Sequence, residues 1–374
     1  MEHPAMRVIV RSATYDYEPL RRQVFDILDA LGGTAIEAGS RVLIKPNLLQ
    51  PAGPQEAILT HPLVVRAVVE YCLRAKARPA IYDSPAIGSF EKILRDGGFK
   101  QALAGLDVTC RPFEASVRAD IGPPFGAIDL APEPLEADLV INLPKLKTHG
   151  QMLLTLGVKN LFGCVVGYRK PEWHLRAGID KALFARLLVL ISRKIQPALT
   201  LLDGVLALEG DGPGKGGTPR EVGVLIGAQD PLAVDLAVCR LLGVPPEALP
   251  VLKAADELGF LPPDWEVDGP LPTVGDFRLP VMEPLVFGPA AFHGLARRYL
   301  LQRPLPDMEA CKLCGECVKI CPAQAIVRQG KALHFDYAAC IRCYCCLEIC
   351  PYGAIHKKDN WAARIVRAIG ERVL

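Results

Sequence analysis

The chain has 374 residues and a net charge of +2, and 50% of its residues are apolar while 22% are charged. This composition supports a sizeable hydrophobic core, and the near-neutral charge argues against a protein that binds nucleic acid or an anionic membrane. The sequence has no secretory h-region near its start and no apolar helical run of bilayer length. We therefore expect a cytoplasmic protein of two or three domains without a transmembrane segment.

The first 260 residues alternate apolar β-type runs with amphipathic helical stretches. Strands are predicted for MRVIVRS, RVLIKPN, RPAIYDS, LDVTCRPF, ADLVINLPK, ALTLLDGV and EVGVLIGA. Helices are predicted for PLRRQVFDILDALGG, HPLVVRAVVEYCLRAKA and PLAVDLAVCRLLG, which carry proline or glycine at their ends. This alternation predicts an α/β domain with a mainly parallel sheet over 1–260, whose ligands would bind beyond the carboxyl ends of the strands.

Polar residues follow most of these strands, at the sheet edge where ligands bind. They are Lys45, Asn47, Lys145, Lys147, His149, Lys159, Asn160, Asp203, Asp211 and Lys215. Converging lysines would form a pocket for a carboxylate or phosphate, and a lysine beside other cations titrates low enough to act as a base or nucleophile. A single lysine is better explained as a solvated loop residue, but the set favours a functional site.

The candidate roles divide this set in two. Catalytic roles are predicted for Lys145, Lys147, His149, Lys159 and Asp203, and binding of a small-molecule cofactor or ligand is predicted for Lys45, Asn47, Asn160, Asp211 and Lys215. An imidazole titrates near neutrality, so His149 and, less strongly, His174 suit a general acid or base, whereas a packing histidine is the alternative. Asp203, Asp211, Asp230 and Asp235 offer oxygen to a divalent cation, although Asp230 before proline is better explained as a helix cap.

The glycine-rich segment EGDGPGKGG invites comparison with a phosphate-binding loop. That loop needs G-x-x-x-x-G-K followed by serine or threonine. Here Gly216 follows Lys215, and Glu209 stands where the first glycine belongs. The sequence therefore gives little support to an ATPase, while the glycines permit a close backbone approach to a ligand near Asp211.

The region 261–305 is predicted to connect two domains. It begins with a proline-rich stretch from Leu261 to Pro289 and ends in a short helix from Ala290. A second short helix is predicted over 359–374. Both helices are basic and amphipathic, and packing of their apolar sides on the domains explains them better than contact with a membrane.

The cysteines concentrate near the end of the chain, as the two copies CKLCGECVKICPAQAI and CIRCYCCLEICPYGAI. Each copy follows C-x2-C-x2-C-x3-C-P, in which the fourth cysteine binds the other of two 4Fe-4S clusters. Cluster one is predicted to be held by Cys311, Cys314, Cys317 and Cys350, and cluster two by Cys340, Cys343, Cys346 and Cys321. Two complete motifs make zinc a poor explanation. Cys345 lies opposite Glu316 in the repeat, so we predict that it is not a ligand.

The motifs KPNL, NLPKLKTH, GVKNLFG, DGVLALEGDGPGKGG and DPLAVD occur in this order, and residues 6–260 resemble the family called domain of unknown function 362. Residues 306–358 resemble the two-cluster bacterial ferredoxins, an α+β fold with short strands around Gln329 and Gly330. The resemblance implies iron–sulfur binding in a redox setting, and it supplies no substrate. A more remote similarity to the lactate racemase fold comes without a residue match for its nickel cofactor.

Three functions follow from these observations. The first is an iron–sulfur protein with two 4Fe-4S clusters, which passes electrons between a redox partner protein and a reaction on a small anionic ligand in the α/β domain. The second is a non-catalytic electron carrier or assembly factor whose α/β domain docks a partner protein. The third is a racemase-like or lyase enzyme whose clusters are structural or sense redox state. Strand-end residues gathered in one cleft would favour an enzyme.

Overall fold

The structure, a computed structural model, describes residues 5–167, 169–177, 180–280, 282 and 302–358. Its strands are β1 (Met6–Ser12), β2 (Arg41–Pro46), β3 (Arg78–Asp83), β4 (Thr109–Pro112), β5 (Val117–Asp120), β6 (Ala127–Leu130), β7 (Leu139–Leu143), β8 (Lys145–His149), β9 (Leu153–Thr155), β10 (Leu199–Gly210), β11 (Gly217–Ala228), β12 (Trp265–Asp268), β13 (Arg303–Pro306), β14 (Ile326–Gln329), β15 (Ala332–Phe335) and β16 (Ile355–Lys358). Its helices are α1 (Tyr17–Ala30), α2 (Pro62–Arg74), α3 (Phe90–Asp96), α4 (Phe99–Ala102), α5 (Glu133–Glu136), α6 (Gly157–Asn160), α7 (Arg169–Ala177), α8 (Lys181–Ile195), α9 (Pro231–Leu242), α10 (Pro250–Glu257), α11 (Glu316–Ile320) and α12 (Cys345–Glu348).

None of the helices in the described ranges is both long enough and apolar enough to span a bilayer. The short helix predicted from Ala290 and the helix predicted over 359–374 lie outside the described residues.

A ten-stranded sheet forms the centre of the α/β domain. Its order is β12–β1–β11–β10–β7–β2–β3–β4, and β8 and β9 extend it beside β10. Parallel pairing joins β2 to β3 and β7, β3 to β4, and β10 to β7 and β8. Antiparallel pairing is confined in this sheet to the contacts of β11 with β1 and β10 and of β8 with β9. The predicted α/β class with a mainly parallel sheet is confirmed.

The sheet separates two hydrophobic cores. In β1, Val8 and Val10 belong to the core that contains residues of α8, α9 and α10, while Ile9 belongs to the core that contains residues of α1 and α2. This division follows from the strand geometry, because successive side chains point to opposite faces. Helices on both faces also explain why the strands are near-continuous apolar runs in the sequence.

Two segments of the sheet differ from the sequence-based expectation. KLKTH, expected as a polar loop after a strand, is the fully buried strand β8. The strand β12 lies inside the expected linker and pairs in parallel with β1, and both Arg7 and Arg11 form ion pairs with Asp268. The sheet therefore extends past residue 260, where the domain was expected to end, because Trp265 and Val267 pack on the core.

Residues 302–358, the cysteine module, form a small domain after the sheet. β13 pairs antiparallel with β16, and β14 and β15 form the hairpin predicted around Gln329 and Gly330. The internal repeat is visible in the backbone, since Leu313 and Arg342 both have positive φ (52° and 59°), as do Gly315 and Tyr344 (81° and 56°). These left-handed residues occupy equivalent positions in the two cysteine motifs, so the copies fold in the same way.

Candidate functional site

A buried ion pair lies where β2 and β3 end. Lys45 Nζ donates to Asp83 Oδ1 at 2.8 Å, with the two side chains only 1% and 6% exposed. Asp83 also accepts the backbone N–H groups of Leu48 and Ser84, at 2.8 Å each. Gly163 makes room for this pair, because a Cβ on it would lie 2.4 Å from Asp83 Oδ1. The pair is thus fully hydrogen-bonded, as a buried charge requires.

A chain of amides lies beside this pair and holds Lys147. Lys147 Nζ donates to Asn47 Oδ1 and to the carbonyl of Ile58, at 2.7 Å each. Asn47 Nδ2 donates to Asn160 Oδ1 at 3.0 Å, and Asn160 Nδ2 donates to Asn142 Oδ1 at 2.8 Å. Burial, followed by the nearby charge of Lys159, lowers the pKa of Lys147 well below its usual value. The amides therefore orient an amine whose neutral form is favoured.

His149, at the end of β8, joins the α/β domain to the cysteine module. Its Nδ1 accepts the backbone N–H groups of Gln151 and Met152, at 3.1 and 3.2 Å. The ring proton of the neutral form therefore belongs on Nε2, which lies 2.9 Å from Oε1 of Glu348 in α12. Burial is the main cause that lowers the pKa of His149 to about 4. Burial alone would raise the pKa of Glu348, but His149 and Lys159 outweigh it and lower that pKa to about 2.

Three further basic side chains lie nearby. Lys159, in α6, has its Nζ 5.8 Å from the centre of the Phe162 ring, and burial lowers its pKa. Lys170, in α7, donates to the carbonyl of Ser84, and burial lowers its pKa to about 8. His174 is buried against Phe184, with ring centres 4.3 Å apart, and burial lowers its pKa to about 3.

These side chains line two adjoining chambers between the α/β domain and the cysteine module. The inner chamber, about 80 Å³, is lined among others by Lys45, Asn47, Asp83, Lys147, His149, Thr155, Lys159, Asn160, Lys170 and Glu348. The outer chamber, about 280 Å³, combines the apolar side chains of Leu49, Ala86, Ile87, Phe162 and Ile349 with Lys159, Lys170, His174, Glu316, Lys319 and Cys345. Lys159, Lys170 and Glu348 line both chambers, which therefore adjoin each other.

The structure places six of the ten predicted polar site residues on the inner chamber. They are Lys45, Asn47, Lys147, His149, Lys159 and Asn160. Lys145 and Asp203 lie in a separate buried network, where Lys145 Nζ donates to Asp203 Oδ2 at 2.8 Å. Tyr15 donates to Asp203 Oδ1 at 2.8 Å, and its ring stacks on His61 with centres 3.6 Å apart. This second network lines neither chamber.

The two remaining aspartates named as possible metal ligands have structural partners. Asp230 caps α9, since its Oδ1 accepts the N–H of Leu232 at 2.8 Å, as predicted. Asp235 accepts the N–H of Gly157 at 2.7 Å, and burial raises its pKa well above the usual value. Asp235 thus fixes the start of α6, which carries Lys159.

The glycine-rich loop between β10 and β11 contacts the cysteine module, whereas the sequence suggested that it would approach a small ligand. Asp211 is exposed, and Lys215 forms an ion pair with Glu56 outside the cavity. A Cβ on Gly214 would lie 2.3 Å from the carbonyl oxygen of Glu348. The absence of a side chain at Gly214 therefore allows the loop to pack directly on α12.

Replacing Gly214 with alanine is expected to destabilise the protein by about 1–3 kcal/mol, because the new methyl group overlaps backbone that cannot move aside without displacing α12. Urea unfolding, followed by tryptophan fluorescence, measures the change. Gly275→Ala is the matched control, since a Cβ there meets nothing within 4 Å. Equal stability of the two variants would show that the loop does not support the module.

The cysteines of the two copies lie close to one another, and Cys346 has both Cys317 and Cys321 among its electrostatic neighbours. Cys317 has Cys311, Cys314 and Cys350 as electrostatic neighbours, and Cys321 has Cys340 and Cys343. The fourth cysteine of each copy accepts a backbone N–H at 3.3 Å, from Ala325 to Cys321 Sγ and from Ala354 to Cys350 Sγ. Such N–H···S contacts suit the thiolates of a 4Fe-4S cluster, so the residues fit the two predicted cofactors.

Within the described ranges, no three histidine, cysteine, aspartate or glutamate side chains are placed to share a single metal ion. A four-iron cluster separates its thiolates more widely than one ion does, so the assignment of two clusters to these cysteines stays a prediction. The extra cysteine, Cys345, is buried and faces the outer chamber near Lys159. Its role as a non-ligand also stays a prediction.

Five polar residues that line the inner chamber were not among the predicted site residues: Asp83, Ser84, Thr155, Lys170 and Glu348. No sequence motif indicates that Thr155 or Lys170 belongs to a functional site. Glu348 has a signal in the repeat, because it aligns with Lys319 of the first copy and so reverses the charge there. The acid of the second copy lines the inner chamber, whereas Lys319 of the first copy lines the outer chamber.

Acid is expected to destabilise the α/β domain through His174. Its folded pKa of about 3 lies below the ordinary value of about 6.5, so below pH 6.5 the unfolded chain binds a proton that the folded chain excludes. His174 leaves the free energy of unfolding unchanged above pH 6.5. Below that pH it lowers the free energy of unfolding by about 1.4 kcal/mol per pH unit towards pH 3. Urea unfolding of wild type and His174→Phe between pH 7.5 and 5.5 tests this.

The His174→Phe variant keeps the ring packing and should lose less stability over that range than wild type. His334→Phe, at an exposed position on β15, is the control and should behave as wild type. The same pH slope in all three proteins would contradict a neutral His174 in the fold.

Comparison with known proteins identifies both parts of the chain. A family model described as domain of unknown function (DUF362) matches residues 42–240, and one described as a 4Fe-4S dicluster domain matches residues 303–351. A thylakoid-associated protein of Synechocystis sp. is 38% identical over 288 residues, which cover 75% of this chain and 89% of that protein.

Two solved structures are similar to this chain at a lower level. The lactate racemase apoprotein of Thermoanaerobacterium thermosaccharolyticum has a TM-score of 0.40 at 13% identity, and covers 62% of this chain. A protein from Thermotoga maritima has a TM-score of 0.38 at 14% identity, and covers 59% of this chain. The chain spans just over half the length of each, at 56% and 58%.

Proposed function

The chain belongs to the family of domain of unknown function 362, and on this premise we propose that it carries out a redox reaction on a small anionic ligand bound in the cavity between the α/β domain and the cysteine module. The match to a 4Fe-4S dicluster domain shows that the module is of the iron–sulfur electron-transfer type. The predicted pair of 4Fe-4S clusters would supply or accept single electrons.

One observation supports this proposal above the others. Lys159 and Cys345 line the same chamber, and Cys345 stands between Cys343 and Cys346, both predicted ligands of cluster two. Cys343, Cys345 and Ile349 pack against Ala86 and Ile87 of the α/β domain. A ligand in the outer chamber would therefore touch the segment that holds cluster two while its charge is balanced by lysine.

The residues of the inner chamber supply positive charge and hold Lys147 in position. Lys159 and Lys170 attract an anion, and the amide chain of Asn47 and Asn160 holds Lys147 in place. Nε2 of His149 lies 2.9 Å from Oε1 of Glu348, and both side chains line the chamber.

The two sides of the module differ in exposure, which suggests where a redox partner protein docks. Cys314, predicted for cluster one, is exposed, whereas Cys343 and Cys346, predicted for cluster two, are buried. A partner would approach the Cys314 side, and the small ligand would lie on the Cys346 side. The cytoplasmic location expected from the sequence stays a prediction, and the name of the Synechocystis relative associates that protein with thylakoids.

Native mass spectrometry of anaerobically purified protein tests the proposal. We expect a mass excess of two four-iron clusters plus a small ligand. Lys159→Met should lose the ligand and keep the iron, because the methionine fills the same space without the charge. Clusters alone in the wild type, or a ligand retained in Lys159→Met, would favour the non-catalytic electron carrier instead.

A further inference from the structure

The charged side chains that line the inner chamber favour an anionic ligand. Lys45 and Asp83 form an ion pair with each other. Lys147 is held by two uncharged acceptors, Asn47 Oδ1 and the carbonyl of Ile58. Apart from the Lys45–Asp83 pair, the lining holds three lysines, Lys147, Lys159 and Lys170, and a single carboxylate, Glu348.

The inner chamber also holds an unused hydrogen-bonding group. Thr155 Oγ1 is buried and has no hydrogen-bond partner among the described residues. A buried hydroxyl without a partner is costly, so a ligand oxygen or a water belongs beside it. Thr155 and Lys159 line the chamber together, and this pairing suits an oxygen anion.

The lining favours a carboxylate over a phosphate. Phosphate sites commonly present arginine forks or a run of backbone N–H groups at a glycine-rich loop. The described lining residues of both chambers include no arginine, and the glycine-rich loop contributes Pro213, which has no backbone N–H group.

The outer chamber has space for an apolar body attached to this anion. Leu49, Ile87 and Phe162 form one wall, and Ile320 and Ile349 of the cysteine module form the other. Its 280 Å³ has room for about nine water-sized groups of ~30 Å³ each, near the lower end of ligand-binding pockets. The inner chamber, at about 80 Å³, accepts a head group and little more.

We propose that the cavity binds a monocarboxylate with an apolar body of up to about nine non-hydrogen atoms. The carboxylate lies in the inner chamber at Lys159 and Thr155, and the body lies in the outer chamber between Ile87 and Ile349. This proposal rests on the proposed function, because it takes the same cavity as the ligand site. It concerns which ligand the cavity binds and not the reaction of that ligand.

Calorimetric titration of the anaerobic holoprotein tests this assignment, with trans-cinnamate as the probe. Cinnamamide has the same body without the charge, acetate has the charge without the body, and inorganic phosphate has a different anion. We expect cinnamate to bind at least about tenfold more tightly than each of these three, because only cinnamate fills both chambers.

Variants locate the binding within the cavity. Lys159→Met should weaken cinnamate binding at least about tenfold, while Lys253→Met, at an exposed position on α10, should leave it unchanged. Ile87→Asn should weaken cinnamate and leave acetate unaffected, since only the body reaches that wall. Absorbance of the clusters confirms that each variant is intact.

Three results would overturn the assignment: tighter binding of phosphate than of cinnamate, equal binding of cinnamate and its amide, and no binding of any probe. Native mass spectrometry separates this failure from failure of the proposed function. If the wild type retains a small molecule but has no affinity for carboxylates, only the monocarboxylate assignment is wrong. If the wild type retains no small molecule and has no affinity for carboxylates, the proposed redox site is wrong as well.

Discussion

Replacement of both Cys345 and Cys346 by alanine is expected to lower the iron content from about eight to about four atoms per chain. Cys346 is a predicted ligand of cluster two, and the double variant also removes the neighbouring thiol that can take its place. The α/β domain contacts the module on this side, so electron exchange with a ligand in the cavity should stop entirely. Iron analysis and electron paramagnetic resonance of the reduced protein measure both effects.

The single variants separate the roles of the two thiols. Cys345→Ala should keep both clusters, because this cysteine has no counterpart in the first copy of the repeat. Cys346→Ala shows whether Cys345 can serve as a substitute ligand, in which case the iron content stays near that of wild type. Loss of a cluster from Cys345→Ala would show that the ligand assignment of the second copy is wrong.

Asp83→Asn is expected to lower the free energy of unfolding by about 3–5 kcal/mol, because it leaves the ammonium of Lys45 buried without a countercharge. Urea unfolding at neutral pH measures this loss. Asp276→Asn is the matched control, since Asp276 pairs with Arg220 at the surface with its side chain 79% exposed. An exposed pair contributes about 0–1 kcal/mol, so the control should be nearly neutral.

The double variant Lys45→Met/Asp83→Asn tests the cause of this loss. With both charges removed, no unpaired ion remains in the core, and part of the stability should return. Recovery would identify the lone ammonium as the source of the destabilisation. A double variant as unstable as Asp83→Asn would instead trace the loss to the backbone groups of Leu48 and Ser84 that Asp83 accepts.

The alternation of apolar residues predicted seven strands of the central sheet, β1–β4, β7, β10 and β11, because it follows directly from the strand period, but it missed β12 in the proline-rich stretch. It failed for β8, whose KLKTH sequence has the composition of a loop. Its lysines can be buried because Asp203 and Asn47, which are distant in the sequence, accept hydrogen bonds from them. Partners that lie so far along the chain leave no local signal.

The position of polar residues at strand ends predicted part of the site. Lys45, Lys147, His149 and Lys159 do line one chamber, as the strand-end rule requires. The rule did not separate them from Lys145, whose partner Asp203 neutralises it in a different place. It also gave no indication that the far wall of the cavity comes from the cysteine module, because contacts between domains are not encoded in either domain's periodicity.

The shared cavity makes the ligand site dependent on the supply of iron. One wall belongs to α12 and the segment around Ile349, which is held in shape by cysteines that bind metal during folding. On the proposed function, a chain without its clusters would lack this wall, and its lysines would hold an anion weakly. Insertion of the cofactor would then have to precede binding of the ligand.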